Sequence, residues 1–488
     1  MRRLGCFLGN NMERRFQIRS PQEVLSLCRE RDVKAVDLRF TDFFGRQHHL
    51  TIPVSDLTEV AFEDGFSFSG SNVRFWQSVD ESDLLLIPLP STAWIDPFAT
   101  IPTLAITCSI QDPITREDYD RDPRLVALRA ENYLIHTGVA DQVQLSPEIE
   151  FFIFDNIKYH QTAQAAYYEV DSIEAAWNVG RNDVPNLGHK IDYRQGYLAC
   201  PPVDQTDELR TEIMQTLIEC GVDVVSHRHA SATAGQVVFD LQHESLLLAA
   251  DSVMKFKYVC KNLAEKHQRS ATFMPKPILG DNGSGMHVQM SLWKNGEPLF
   301  AGKGYGGLSE IGQYAIGGIL RHTPALLAFT NPTTNSYKRL VPGYDAPTHI
   351  AYSQRNRSAA CRIPVGTLDP RSKRMEYRCP DPAANPYLSF AAILMAAIDG
   401  VQNKIHPGPP MDRDLYDLPP EILQDVVRLP KTLDAALSAL ENDADFLLRG
   451  DVLSEASLQG WIEYKRQSEV AQLEMRPHPY EFCMYYDT

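Results

Sequence analysis

Between Asn331 and Arg378 the chain gathers many arginines, among them Arg339, Arg355, Arg357, Arg362, Arg374 and Arg378, although its formal net charge is −16. A guanidinium keeps its charge and offers a planar fork of donors, so this density suits recognition of several anionic groups at once. In the segment RMEYR, Arg374, Glu376 and Arg378 alternate, and on a strand they share one face. A carboxylate held between two arginines is either a structural ion pair or a metal ligand beside an anion, and spacing alone leaves both open.

The chain is 488 residues long, which exceeds what one hydrophobic core serves and implies two or three domains. The acidic balance argues against general binding to nucleic acid or to an anionic membrane surface. No apolar run is long enough to span a bilayer. Nine cysteines, odd in number and never in CxxC spacing, read as reduced thiols of a cytoplasmic protein. Met1–Asn11 lacks the apolar core of a signal peptide, so residues 1–15 are expected to be a disordered extension.

Along the chain, Gln22–Asp32 reads as a helix. Two strands follow, Lys34–Phe40 and His48–Ile52, with Asp42-Phe43-Phe44-Gly45 as the turn between them. Further strands are expected at Leu84–Pro88 and Thr103–Ile110. The boundary falls near Tyr119–Pro123, where Asp122 is a good N-cap and Pro123 a good first helical residue for Arg124–Thr137. Helices are also expected at Asp207–Cys220, at Glu244–His267 and from Asn385-Pro386 to Gly400, the last so apolar that it must be buried. Between them lie strands at Leu145–Phe154, Val222–Ala230, Gly285–Leu292 and Met375–Arg378. The division is thus residues 16–118 and residues 119–488.

SPEIEFFIF places Glu148 and Glu150 on one strand face, where they repel unless a cation lies between them. A solvent-exposed face is the competing explanation. GDNGSGMHVQMSLW supplies a glycine-rich loop and then His287, Gln289 and Ser291 in alternation. A single histidine there is either a hydrogen-bonded core residue or a ligand.

These segments, taken with NPTTNSYKRLVPGYDAP and RSKRMEYRCPDPAANPY, resemble the bacterial type I glutamine synthetases over nearly the whole chain. The resemblance implies an α+β chain of the glutamine synthetase fold: an N-terminal β-grasp domain and a C-terminal α/β catalytic domain with a curved antiparallel sheet. It matches Glu148, His287 and Glu376 to ligands of the Mg²⁺ or Mn²⁺ that holds ATP phosphates, a donor set that suits a hard cation. It matches Asn282, Gly283, Arg339 and Arg378 to substrate-binding residues, and Arg357, Arg362 and Arg374 to the clamp on the transferring phosphate. Ser291, Arg362 and Arg374 are matched to nucleotide binding. The apolar tail MRPHPYEFCMYYDT implies a homo-oligomer, a dodecamer of two hexameric rings with active sites between subunits. Tyr416, in DLYDLPPE, matches the family's adenylylated loop tyrosine.

The chain departs from the family's pattern in one half of the site. Where Glu150 would share a second metal with two more carboxylates, the matching positions are Ala230 and Val238, and Arg228 replaces a histidine. Neither an alanine nor a valine side chain binds a hard cation. Arg228 is expected to take over part of that ion's role, with Glu150 as its partner; relaxed selection is the other explanation. In the matching ammonium pocket, Ser69 stands for an aspartate and Asp345 for a glutamate, while Tyr197 is kept. The leading expectation is an ATP-dependent ligase that activates the γ-carboxylate of glutamate, or of an analogue, as an acyl phosphate. It couples that group to an amine, with an organic amine at least as expected as ammonia. The alternatives are a conventional glutamine synthetase of reduced activity, a nucleotide-binding pseudoenzyme or regulatory subunit, and a phosphotransferase.

Overall fold

The computed structural model describes residues 18–179, 186–366, 369–417, 419 and 426–488. The extension expected over residues 1–15 lies outside them. Two compact units emerge, one running up to Leu125 and including Met214–Asp223, the other comprising Val126–Ile213 and Val224–Thr488.

The first unit opens with helix α1, Pro21–Glu30. Ser20 and Glu23 close a capping box over its first turn and Pro21 fixes φ at its start. Strands β1 (Ala35–Thr41) and β2 (Gln47–Pro53) pair antiparallel. Their turn is the expected one: Asp42 Oδ1 accepts from the N–H groups of Phe44 and Arg46, at 3.0 and 2.9 Å, and Gly45 takes φ +80°. Strands β3 (Phe66–Ser69), β4 (Asp83–Pro88), β5 (Trp94–Ile95) and β6 (Thr103–Gln111) complete a mixed sheet in the order β2-β1-β6-β4-β3, with β5 on β6 and β1 parallel to β6. One face buries Val36, Leu38, Leu84, Leu86, Leu104 and Ile106.

The second unit is organised on a nine-stranded sheet. Its main path runs β10 (Val224–His229), β11 (Gln236–Leu241), β7 (Gln142–Phe154), β13 (Met286–Lys294), β17 (Met375–Tyr377), β16 (Ala359–Ile363) and β15 (His349–Gln354). Neighbours are antiparallel except β15 and β16, which run parallel. A separate hairpin, β8 (Asn156–Gln161) with β9 (Ala166–Asp171), extends from β7.

Period-two alternation divides this sheet into a core face and a chemical face. Phe151 and Phe239 point to the core face, where Phe256 of helix α5 (Leu246–Lys266) and Phe273 stack with them at ring separations of 4.9–6.1 Å. Glu148, Glu150, Val238 and Asp240 occupy the opposite face by the same alternation.

Two helices form a deep layer. Helix α8 (Pro386–Gln402), capped by the Asn385 side chain, is buried along almost its whole length, as its composition demands. Helix α6 (Glu310–Thr330) lies against it and was not expected, because Gly312, Gly317, Gly318 and Pro324 read as helix breakers. The glycines are there for contact. A Cβ on Gly318 would fall 2.1 Å from the Ala396 carbonyl oxygen and 2.6 Å from Gly400 Cα, so both helices need bare backbone at the crossing. Among the described residues no helix is long and apolar enough to cross a membrane.

Candidate active site

The strand register builds the site in rows. Ser226 on β10, Asp240 on β11, Glu148 on β7 and His287 on β13 are successive register partners, so four polar side chains share one face across four strands. Arg228, Val238 and Glu150 form the next row. Glu376 on β17 pairs with Gln289 on β13 and with Arg362 on β16. A cavity over this face is lined by Glu148, Glu150, Arg228, His287, Arg357 and Arg378, among others.

Glu376 is fully buried and carries the centre of charge. Arg362 reaches one oxygen through Nε at 2.9 Å and Nη2 at 2.5 Å, and Arg378 Nη1 reaches the other at 2.7 Å. Burial alone would raise its pKa, but the charges of Arg378 and Arg362 outweigh burial and hold it below the usual carboxylate range. Of the two possibilities left open by the RMEYR spacing, the ion pair is formed, and its Arg378 side borders the cavity.

His287 Nδ1 is the most informative atom of the site. Among the described residues it is buried without a hydrogen-bond partner, 3.6 Å from Glu148 Oε1 and 3.9 Å from Glu376 Oε1. Burial, reinforced by the charge of Arg378, drives its pKa well below the usual value and favours the neutral ring, whose Nε2 lies 3.5 Å from the Arg339 Nη2 donor. An imidazole nitrogen near two carboxylate oxygens is a donor set that Mg²⁺ or Mn²⁺ would fit.

Arg228 does not pair with Glu150, contrary to expectation. Its Nη2 lies 2.8 Å from Glu148 Oε1 and its Nη1 lies 2.6 Å from Asp240 Oδ2. Ser226 Oγ also donates to Asp240. The reason is in the sheet: Glu148 and Asp240 are direct partners on adjacent strands, so their paired charges attract the guanidinium. Glu150 instead accepts from the Gly285 N–H at 2.6 Å, and burial pushes its pKa up to about 7.

Arg339 is buried and spends its donors on backbone carbonyls: Cys379 O at 2.8 Å, Pro380 O at 3.3 Å and Arg378 O at 3.1 Å. Gly285 makes room for it, since a Cβ there would come within 2.5 Å of Arg339 Nη2. Arg378 donates to Arg357 O at 3.1 Å and Asp345 O at 3.0 Å, besides Glu376. These two arginines thus frame the cavity as much as they face it. Asn282 and Gly283 line it; Asn282 Nδ2 donates to Asp345 Oδ2 at 3.2 Å, and Gly283 O accepts from Gln236. Arg357 is exposed, its guanidinium 6.0 Å from the ring centre of Tyr197, which is half exposed on the cavity rim.

Other expected residues lie elsewhere. Arg374 is engaged with Gln289 and with Ser372 O, and Ser291 Oγ accepts from the Trp293 indole at 2.9 Å. Ser69 ends β3 in the first unit, its hydroxyl 3.1 Å from that of Ser71. Tyr416 is not an exposed loop tyrosine: its hydroxyl donates to Ala346 O at 2.6 Å, and burial pushes its pKa up to about 12.

Sequence reasoning missed the supports of this site. His229 points away from the cavity, its Nε2 at 2.8 Å from Glu174 Oε1 and its Nδ1 at 2.8 Å from Ala230 O. Next to it Arg210 forks onto both oxygens of Asp204, at 2.8 and 2.6 Å. Asp281 gathers the N–H groups of Arg194, Thr233 and Asn282 on its carboxylate. Only Asp240 carried a local signal, two residues beyond Val238 on the same face.

Comparison with known proteins gives the family. Residues 120–485 match the family described as glutamine synthetase, catalytic domain, and residues 32–113 match the glutamine synthetase β-grasp domain. The chain belongs to the glutamine synthetase family. It is 52% identical over 468 residues to the glutamine synthetase of Microchaete diplosiphon, covering 96% of this chain and 99% of that one. The Aquifex aeolicus glutamine synthetase shows the same identity and coverage. Among solved structures, Plasmodium falciparum glutamine synthetase superposes with a TM-score of 0.87 at 28% identity, covering 96% of this chain and 99% of that one. A GmaS/ADP complex gives 0.79 at 27%, with coverages of 95% and 99%. As a member of the family, the chain is an ATP-dependent ligase of the glutamine synthetase class.

Proposed function

We propose that this ligase forms glutamine from glutamate, ammonia and ATP in the cavity over Glu148, His287 and Glu376. The observation that carries the reading is the buried, unpartnered His287 Nδ1 facing two carboxylates inside a ring of arginines. The relatives, which are named glutamine synthetases, support ammonia as the acceptor better than they support the organic amine of the leading sequence expectation.

In this reading an oxygen of the γ-carboxylate attacks the terminal phosphorus of ATP, ADP leaves, and an acyl phosphate results. The amine nitrogen then attacks the acyl carbon, phosphate leaves with the C–O bonding electrons, and the nitrogen loses a proton. Glu148, His287 and Glu376 would hold Mg²⁺ or Mn²⁺, which neutralises phosphate charge when bound. Arg357 faces the transferring phosphoryl group, and Arg362 fixes Glu376 from the adjacent strand. Fixed cationic donors supply most of the stabilisation in phosphoryl transfer, because little covalent help is required. Asn282, Gly283, Arg339 and Arg378 shape the wall for the amino-acid substrate; Arg374 and Ser291, outside the cavity lining, keep only the nucleotide role that the resemblance implies. Tyr197 and Asp345, joined by Ser69 of a neighbouring copy in a two-ring dodecamer, would border the amine. The exposed side chains of Phe482, Met484, Tyr485 and Tyr486 support such an assembly.

A second reading, an alkyl amine as acceptor, draws on Ala230 and Val238, which give the same cavity an apolar wall. Phosphate release from ATP with Mg²⁺ and glutamate, measured without acceptor, with ammonium and with a set of alkyl amines, tests both. Ammonium-dependent release supports the first. Release that needs an alkyl amine supports the second, and silence throughout contradicts both.

A further inference from the structure

Glu148 Oε1 serves two cationic claims. Arg228 Nη2 holds it at 2.8 Å, while it lies 3.6 Å from the unpartnered His287 Nδ1 that faces the expected ion. Arg228 also has a second anchor, because Nη1 is 2.6 Å from Asp240 Oδ2. Asp240 and Glu148 are direct register partners, and with no cation between them their charges would repel. From this geometry, and resting on the metal–nucleotide reading above, we infer that Arg228 is a resident latch on Glu148 that a divalent ion must displace.

In the closed state the guanidinium bridges Asp240 and Glu148, setting one positive charge between two negative ones. Loading an ion on Glu148 requires Nη2 to let go while Nη1 keeps its hold on Asp240. The freed Nη2 then belongs to a side chain that borders the cavity and is 22% exposed. An oxygen of a nucleotide phosphate is the natural acceptor for it, since a guanidinium prefers phosphate and carboxylate alike. The latch thus couples two ligands. A nucleotide that draws Nη2 away promotes ion binding, and by linkage the ion promotes nucleotide binding by the same factor. A generic positive charge does not predict this behaviour, because the coupling needs two separate nitrogens on two separate carboxylates. Arg228 is accordingly a positioning residue.

The test is a titration with Mn²⁺, followed by the loss of the free-ion electron paramagnetic resonance signal, with and without ADP. It uses the full-length protein, Arg228→Gln, Arg228→Lys, and His287→Ala as the site control. The latch predicts that Arg228→Gln binds Mn²⁺ about tenfold tighter than the parent without nucleotide, the loss of one ion pair's hold. Arg228→Lys, with the charge kept but a single nitrogen, binds roughly threefold tighter. The tightening caused by ADP shrinks in both variants. Equal affinities in the parent and both Arg228 variants, with binding lost in His287→Ala, would overturn the latch and leave the ion site standing. A tighter Arg228→Gln beside an unchanged Arg228→Lys would reduce the effect to net charge and also overturn it. Failure of the parent to bind Mn²⁺ even with ADP would instead overturn the metal reading beneath it.

Discussion

Glu376 and Arg378 sit two residues apart at the end of one short strand, and Arg378 Nη1 donates to Glu376 Oε1 at 2.7 Å inside the protein. Arg362 holds the other oxygen, so one carboxylate keeps two guanidinium groups in place. Glu376→Gln leaves both cations under-compensated in a buried setting. It should lower the unfolding free energy by about 3–5 kcal/mol, the usual result of removing one partner from a buried ion pair. Urea denaturation of parent and variant measures this, and a change below about 1 kcal/mol would contradict the arrangement.

Arg357 should behave in the opposite way. It is exposed at the cavity, and the contact of its guanidinium is the Tyr197 ring at 6.0 Å. Arg357→Ala is expected to cut kcat by about 10²-fold or more, as loss of a charge-stabilising donor does, with stability changed by no more than about 0.5 kcal/mol. Steady-state kinetics and thermal unfolding on the same sample separate the two effects.

The His229–Glu174 pair gives a pH dependence with a definite sign. Burial would lower the His229 pKa, but the hydrogen bond and charge of Glu174 raise it above the usual value. Folding therefore favours the imidazolium. The pair contributes fully below the unfolded histidine value of about 6.5, and the contribution is lost as pH rises through the higher folded value. Urea unfolding from pH 6 upward should show the stability advantage of the parent over His229→Gln shrinking with pH. An advantage that grows with pH would contradict the assignment.

Gly318 tests the helix crossing. A methyl group there meets the Ala396 carbonyl oxygen at 2.1 Å, and backbone cannot step aside as a flexible side chain does. Gly318→Ala should destabilise the protein by at least about 1–3 kcal/mol, despite alanine's better helix propensity. A stabilised variant, read by its denaturation midpoint, would mean that the helices do not touch at this point.

Much of this architecture was legible in the chain. The Asn385-Pro386 cap and period-two alternation placed α8 and the strands bearing Glu148, His287 and Glu376 within a few residues, because those signals are local, and α1 was placed as closely. Helix α6 was hidden because its glycines answer to a neighbour distant in sequence, not to the local backbone. The partner of Arg228 was misjudged for a related reason. The choice between Glu150 and Glu148 is set by strand register, and Asp240 enters only once β11 lies beside β7. Glu174, Asp204 and His229 carried no local pattern, since loop and strand bring them together from positions far apart in the chain.

The most direct test of the central claim follows the oxygen atoms of glutamate. With ¹⁸O in the γ-carboxylate, ATP, Mg²⁺ and ammonium, activation as an acyl phosphate transfers one labelled oxygen to phosphate for each amide formed. The account predicts one ¹⁸O per phosphate released, resolved by its phosphorus resonance shift or by mass, together with an equal amount of glutamine. Phosphate carrying no label would show that ATP is cleaved by water and that the glutamate carboxylate is never activated, which would contradict the account.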